Sequence, residues 1–268
     1  MGTTLNRANE SSRYAVQAAV KTLEVMFAFG DTQRPLSMPE VATRVGLPRN
    51  QVYRCLKTLE AVGVIAEGES GFFLTAKILQ LIPSVQGQSL LAVSKPTLLR
   101  LRDATAETVN LIARVTERSL VCLASYHTPQ AIGLMTRVGQ TSDPHAGAVA
   151  KAVLAFAPQE EQERIIAALP TFTRYTDRTI FDPDALRHDL AETRARGYSI
   201  SDEDFEPGAA GVGAPVFGAD GVPIAGISAG GPVGRVDKAA LAHLGPMVVD
   251  AAKEISAMLG QGSVAVLL

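Results

Sequence analysis

Between Leu36 and Phe73 the sequence lays out a helix, a tight turn, a second helix and a short glycine-punctuated hairpin, and no other segment constrains the fold as strongly. Ser37-Met38-Pro39-Glu40 has the spacing of a capping box: the Ser37 hydroxyl faces the Glu40 amide while the Glu40 carboxylate reaches back, and Pro39 fits the first turn. A helix therefore starts at Ser37, runs to Val45 and stops at Gly46, a residue suited to the left-handed turn beyond a helix C-terminus. Pro48 opens the next helix. Its apolar residues Val52, Cys55, Leu56, Leu59 and Val62 recur at three- and four-residue spacings and predict one buried stripe ending at Gly63. Val64 to Glu67 and Phe72 to Leu74 then read as two short strands around Gly68-Glu69-Ser70-Gly71. Together these elements spell a winged helix-turn-helix, with Gly71 in its wing.

At about 100° per residue, Asn50, Arg54 and Lys57 point away from the buried stripe, flanked by Gln51, Tyr53 and Thr58. Side chains of this kind suit a major groove: arginine is a bidentate donor to guanine, asparagine and glutamine pair with adenine edges, and lysine brings positive charge to phosphate. Arg49 and Arg54 could serve either role. Charge at helical spacing would suit any wet helix face, so the capping box, the short turn and the wing are what select a DNA reader. Ser37, Arg49, Asn50, Gln51, Tyr53, Arg54, Lys57 and Gly71 are the expected DNA-binding residues.

Residues 1–80 carry 9 basic and 7 acidic side chains against 16 and 20 in the remainder, within a net charge of −2. Such a balance excludes a protein that coats nucleic acid by charge alone; affinity needs base contacts and a second copy of the reader. The chain is long enough for two domains. Its two cysteines, Cys55 and Cys122, form no disulfide framework or metal knuckle and are expected to be reduced and buried. No signal-peptide core and no run of about 18 apolar residues is present, which predicts a cytoplasmic protein with no membrane partner.

A helix over roughly Arg13 to Phe29, with Val16, Val20, Leu23 and Phe27 on one face, is expected to pack behind the recognition helix. Thr75 to Ile82 predicts two helical turns before Pro83, and Ser84 to Gly87 a hinge. Further on come a helix around Pro96 to Ala104, a hairpin over Thr108 to Ser125, an apolar stretch at Ile132 to Thr136, and helices at His145 to Phe156 and Pro158 to Leu169. Asp182-Pro183-Asp184 starts a helix that ends at Gly197. Strands are expected at Tyr198 to Ser201, Gly211 to Phe217 and Val222 to Ser228, then a Gly/Pro loop over Gly230 to Gly234 and a last helix from Asp237 to about Leu259. An antiparallel sheet with flanking helices, an α+β sensor domain, is the simplest packing.

Two patterns invite an enzymatic reading. Gly226-Ile227-Ser228-Ala229-Gly230 matches G-x-S-x-G, but a nucleophile elbow needs a helix directly after the serine and Gly231-Pro232 forbids one. Asp202-Glu203-Asp204 with Glu206 could bind a hard cation, do acid/base work, or form a solvated acidic loop. The four histidines show no close pairing, so zinc would need distant segments.

Five segments in order, SMPEVATRVGLPRNQVYRCLKTLEAVGVI, GFFLTAKILQL, PHAGAVAKAVLAF, DPDALRHDLAETRARGYSISDEDFEPGAAGVGAPVF and IAGISAGGPVGRV, resemble the IclR family of bacterial transcriptional regulators over nearly the whole chain. The resemblance implies an α+β protein with a winged helix-turn-helix domain at 1–74, a linker helix and hinge at 75–95, and a GAF-like effector-binding and oligomerisation domain at 96–268. It implies partners: double-stranded operator DNA, a small-molecule effector, and copies of itself as a homodimer or dimer of dimers. No cofactor, metal or catalytic residue is expected. By the same resemblance the effector pocket takes in Leu134, His145, Gly147, Ala148, Val149, Ser201, Gly211, Ser228 and Gly230. The helix-start amides after Gly147 are placed to hold a carboxylate, and His145 either meets the effector or caps and packs the helix. Relatives that bind small oxo-acids carry polar side chains where this chain has Gly211 and Gly230. The implied pocket is roomier and less polar, for an effector larger than a two- or three-carbon acid, such as an aromatic acid or a related amide-like compound.

Overall fold

The computed structural model describes residues 15–30, 32, 34–81 and 90–261. The chain divides into two compact units, residues 1–85 and 86–268.

In the first unit, helices α1 (Gln17–Phe27), α2 (Met38–Val45) and α3 (Arg49–Ala61) precede the hairpin β1 (Ile65–Gly68) and β2 (Gly71–Leu74). The Ser37 amide and hydroxyl both donate to Glu40 Oε2, at 2.8 and 2.7 Å, and Gly46 takes the left-handed conformation after α2 (φ 65°). Arg34 also bonds Glu40, and these contacts hold the Glu40 carboxyl at about 2, well below the usual carboxylate range. Gly71 is required by its backbone: φ is 127°, and a Cβ would lie 2.5 Å from the Leu36 carbonyl oxygen, where Leu36 pairs with Phe72. The core joins Val25, Phe29, Leu36, Val41, Val52, Cys55, Leu56, Leu59, Ile65 and Phe72.

Three sequence expectations are corrected here. The α1 stripe does not pack behind α3: Val16, Leu23 and Phe27 are exposed, Phe27 at 72%, and α1 meets α3 through Val25 with Phe29 just beyond it. Val62 is likewise exposed, because α3 ends at Ala61 and Val62 only caps it. After the wing, Ala76–Leu81 forms a 3-10 helix rather than α-helical turns. The expected hinge at 84–87 lies outside the described residues.

The second unit contains α4 (Leu90–Thr105), β3 (Thr108–Thr116), β4 (Ser119–Tyr126), β5 (Thr141–Ser142), α5 (Ala148–Phe156), α6 (Gln159–Ala167), α7 (Pro183–Arg196), β6 (Ser199–Asp202), β7 (Ala209–Phe217), β8 (Pro223–Pro232) and α8 (Lys238–Gln261). Helix α4 runs through Pro96, so it takes in residues the sequence reading gave to the linker. The strands form one antiparallel sheet in the order β5-β4-β3-β8-β7-β6. Alternation along the strands sends Val109, Leu111, Val212, Ala214 and Ile227 to one face, against Leu98 and Leu101 of α4 and Leu244, Val248 and Ile255 of α8. The opposite face receives α5. There a Cβ at Gly213 would lie 2.6 Å from the Ala148 backbone and one at Gly226 2.7 Å from Val149, so bare glycines let the helix rest on the sheet. Strand β8 extends to Pro232, which overturns the expected Gly/Pro loop: Gly230 and Gly231 stay in register with Gly211 and Ala210 of β7.

Candidate nucleic-acid interface and ligand cavity

Because Val52, Cys55, Leu56 and Leu59 are buried, α3 turns Arg49, Asn50, Tyr53 and Arg54 outward, with Gln51 and Lys57 half-buried at its flanks. Arg49 and Arg54 enter no ion pair among the described residues. Lys57 differs. Its ammonium lies 2.8 Å from Glu60 and 2.8 Å from Glu67 of β1, and 5.8 Å from the ring centres of both Tyr53 and Phe72. The two carboxylates raise its pKa above the ordinary lysine range. Its charge is already matched within the unit, and it ties the wing to α3. Ser37 and Gly71, also expected at the DNA, have clear structural duties in the capping box and at the Leu36 contact.

In the second unit a cavity of about 820 Å³, including its open mouth, lies between the sheet and the N-terminus of α5. Leu134, Gly147, Ala148, Val149, Ser201, Gly211, Ser228 and Gly230 all line it. Gly211 and Gly230 face each other across β7 and β8, and a Cβ on either would stand 3.0 Å from the other's Cα. Their bareness thus opens the floor and sets the strand spacing together.

Of the expected pocket residues, His145 alone does not line the cavity. It lies just behind the wall, fully buried, stacked on Phe172 (ring centres 5.2 Å apart) and edge-on to Phe181 (5.3 Å). Neither ring nitrogen makes a well-formed hydrogen bond, although the Thr173 backbone approaches. Burial pushes its pKa below the ordinary histidine value, outweighing the pull of Asp143 and Asp204. This is a neutral, packed imidazole.

Sequence reasoning missed Asn110. It sits in the middle of β3, 7% exposed, directly opposite Ser228. Its amide nitrogen donates to Ser228 Oγ at 3.4 Å, and its Oδ1 has no partner. The signal was available: one asparagine inside the apolar run Val109 to Ala113 must either be satisfied there or serve a ligand. Cys122, also on the wall, has its thiol pushed up to about 11 by burial.

The roof is the loop between β6 and β7. Phe205 packs on Tyr175 (4.5 Å between centres) and against Gly147. Beneath it Lys151, buried on α5, pairs with Asp204 at 2.7 Å and Asp189 at 3.5 Å, while Ser201 donates to Asp204. Thr176 and Thr179 hydroxyls hold the Glu203 and Asp204 carbonyls, each at 2.7 Å. Arg178 pairs with Asp202 and Glu203. Asp202, Glu203 and Asp204 therefore form an ion-paired strap, while Glu206, exposed and in no ion pair among the described residues, lines the cavity; among the described residues no cluster of three or more metal-binding side chains occurs. Ser228 lies mid-strand with no turn after it, unlike a nucleophile elbow.

Among the described residues no lysine, arginine or histidine lines the cavity. Its anion-binding capacity comes from α5: Gly147 supplies no side-chain cap, and the Ala148, Val149 and Ala150 amides have no acceptor among the described residues. Ile112, Leu134, Val149 and Phe205 provide apolar walls.

The model of the bacterial transcriptional regulator IclR C-terminal domain matches residues 83–257, and that of the IclR helix-turn-helix domain matches residues 18–68. The transcriptional regulator BhcR of Paracoccus denitrificans is 33% identical over 82% of this chain and 80% of its own, and KdgR of Escherichia coli 30% identical over 92% and 94%. An IclR homolog from Microbacterium hydrocarbonoxydans, solved in complex with 4-hydroxybenzoate, superimposes with a TM-score of 0.74 at 23% identity, covering 92% of this chain and all of that one. With a winged helix-turn-helix in one unit and a ligand cavity in the other, the chain belongs to the IclR family of bacterial transcriptional regulators.

Proposed function

We propose that the cavity is the effector site of this DNA-binding regulator and that its ligand is a small organic acid carrying a hydroxyl or amide donor, aromatic acids included. The observation that carries this reading is the pairing of unused groups in one pocket: backbone donors at the start of α5 and the orphaned acceptor Asn110 Oδ1. A carboxylate suits the first and a ligand O–H or N–H the second, with the apolar walls taking a ring or chain between them. The 4-hydroxybenzoate held by the Microbacterium homolog combines those same two functions. Sequence recognition is assigned to Arg49, Asn50, Gln51, Tyr53 and Arg54.

The regulator works without catalysis in this reading, since Ser228 lacks an elbow and Asp202, Glu203 and Asp204 are occupied by their own ion pairs. It acts in the cytoplasm, at the nucleoid when on its operator, as a homodimer or dimer of dimers. The exposed Leu23 and Phe27 of α1, with Val16 just before it, offer one apolar face to a second copy. No helix among the described residues is long and apolar enough to cross a membrane. Effector and operator are linked: ligand in the second unit favours one arrangement of the paired readers, relayed through the segment containing Ala76–Leu81.

Thermal unfolding with a panel of aliphatic acids, hydroxylated aromatic acids and their uncharged esters tests the ligand class. A true ligand at about 100 times its Kd stabilises by ~2.7 kcal/mol. Hydroxylated acids should shift the transition and their esters should not. A shift by the esters alone would contradict the carboxylate assignment.

A further inference from the structure

The two flanks of α3 differ in charge. The wing contributes no lysine or arginine between residues 65 and 74, carries Glu67 and Glu69, and holds the Lys57 ammonium in ion pairs. The other flank is α1. Between the two helices runs a groove lined by Ala18, Lys21 and Thr22 of α1 and by Asn50, Gln51, Arg54, Cys55 and Thr58 of α3. No carboxylate lines it, and neither Lys21 nor Arg54 enters an ion pair among the described residues. Val25, one turn beyond Lys21 and fully buried, pins α1 to α3, so Lys21 stays beside the first turns of the recognition helix. The Thr22 and Thr58 hydroxyls are engaged with the carbonyls of Ala18 and Arg54, at 2.8 Å each. What remains is a set of donors, an ammonium, a guanidinium and two side-chain amides, with no anion of their own.

We propose that this groove binds a phosphate of the DNA backbone, with Lys21 as the principal contact, so that α1 supplies the cationic grip which the acidic wing does not. A phosphodiester matches such a donor set, because it accepts hydrogen bonds through its oxygens and brings the missing negative charge. Arg54 sits where the groove meets the outward face of α3 and is shared between phosphate and base. The proposal rests on the assignment of α3 as the reading helix.

The test uses the full-length protein, a random-sequence duplex and a duplex taken from the region upstream of its own gene, with binding measured from 50 to 200 mM salt. Lys21→Ala should weaken both duplexes alike, about 3- to 10-fold, and reduce the slope of log K against log salt by about 0.9. Lys21→Arg should restore affinity and slope, and the ratio between the two duplexes should stay at the wild-type value. Wild-type affinity and slope in Lys21→Ala, with its melting temperature unchanged, would overturn the proposal while leaving the α3 assignment intact. A loss confined to the upstream duplex would overturn it in favour of a base contact. Wild-type protein that binds neither duplex would defeat the α3 assignment, and the groove proposal with it. Saturable binding of inorganic phosphate that Lys21→Ala abolishes, with duplex affinity unaltered, would place a small-ion site there instead.

Discussion

The DNA-reading face and the ligand cavity are built in opposite ways. The proposed base-reading face takes Arg49, Asn50, Gln51, Tyr53 and Arg54 from one helix, where most of these side chains stand in solvent. The cavity draws on β3, β4, the loop before β5, the start of α5, the β6–β7 loop and β8, residues more than a hundred positions apart, and Asn110, Ser201 and Ser228 on its wall are buried. Helical periodicity suffices to define the first. The second exists only when glycines let α5 settle on the sheet and an ion-paired strap closes over it. A reading face can therefore change residue by residue without disturbing its unit, whereas most cavity changes are also fold changes.

The severest test of that contrast is Gly213→Val. Its side chain would meet the Ala148 backbone, and overpacking of this kind costs ~3 kcal/mol or more. Calorimetry should show the transition of the second unit lowered and that of residues 1–85 unmoved. Equal effects on both would break the comparison. Arg54→Ala comes next, with ~1–3 kcal/mol of discrimination between upstream and random duplex lost at unchanged melting temperature. Lys57→Ala sharpens the point: discrimination persists, but stability falls, because the Glu60 and Glu67 carboxylates lose their shared partner.

Asn110→Leu should move two quantities in opposite directions. Removing a buried unpaired acceptor leaves stability equal or higher, while loss of a ligand hydrogen bond weakens effector binding by ~1–2 kcal/mol. Lower stability with unchanged affinity would make Asn110 structural. The smallest effect belongs to His145. Its native pKa is depressed by burial, so its contribution is present above the unfolded value near 6.5 and is lost as pH falls below it through the native pKa. Melting temperatures from pH 7 to 5.5 should fall less in His145→Phe than in the wild type.

Local signals were legible in the sequence. The capping box at Ser37 and Glu40, the αL turn at Gly46 and the α7 start at Asp182 were readable because each depends on neighbours three or four residues away. Matters of partnership were not. Amphipathicity showed that α1 has an apolar face in Leu23 and Phe27, with Val16 just before it, but not that α3 would take the Val25 side instead. Spacing put Lys57 on the outward face, whereas the wing that claims its charge arrives ten residues later. The glycine-rich end of β8 looked like a loop because strand propensity penalises glycine, and only the neighbours explain the glycines there: the β7 backbone beside Gly230, and Glu107 and Val236 beside Gly231. Eight of the nine expected cavity residues do line the cavity, read through family resemblance; Asn110, absent from that pattern, needed the sheet register to be seen.

Linkage between cavity and reading face is the central claim, and one titration tests it most directly. Affinity of the full-length protein for the upstream duplex would be measured at fixed near-physiological salt, with and without a saturating hydroxylated carboxylic acid identified by thermal shift. The account predicts a change of ~1–3 kcal/mol in operator affinity, with Asn110→Leu needing a higher acid concentration to reach it. A compound that saturates the cavity and leaves operator affinity unaltered would contradict it.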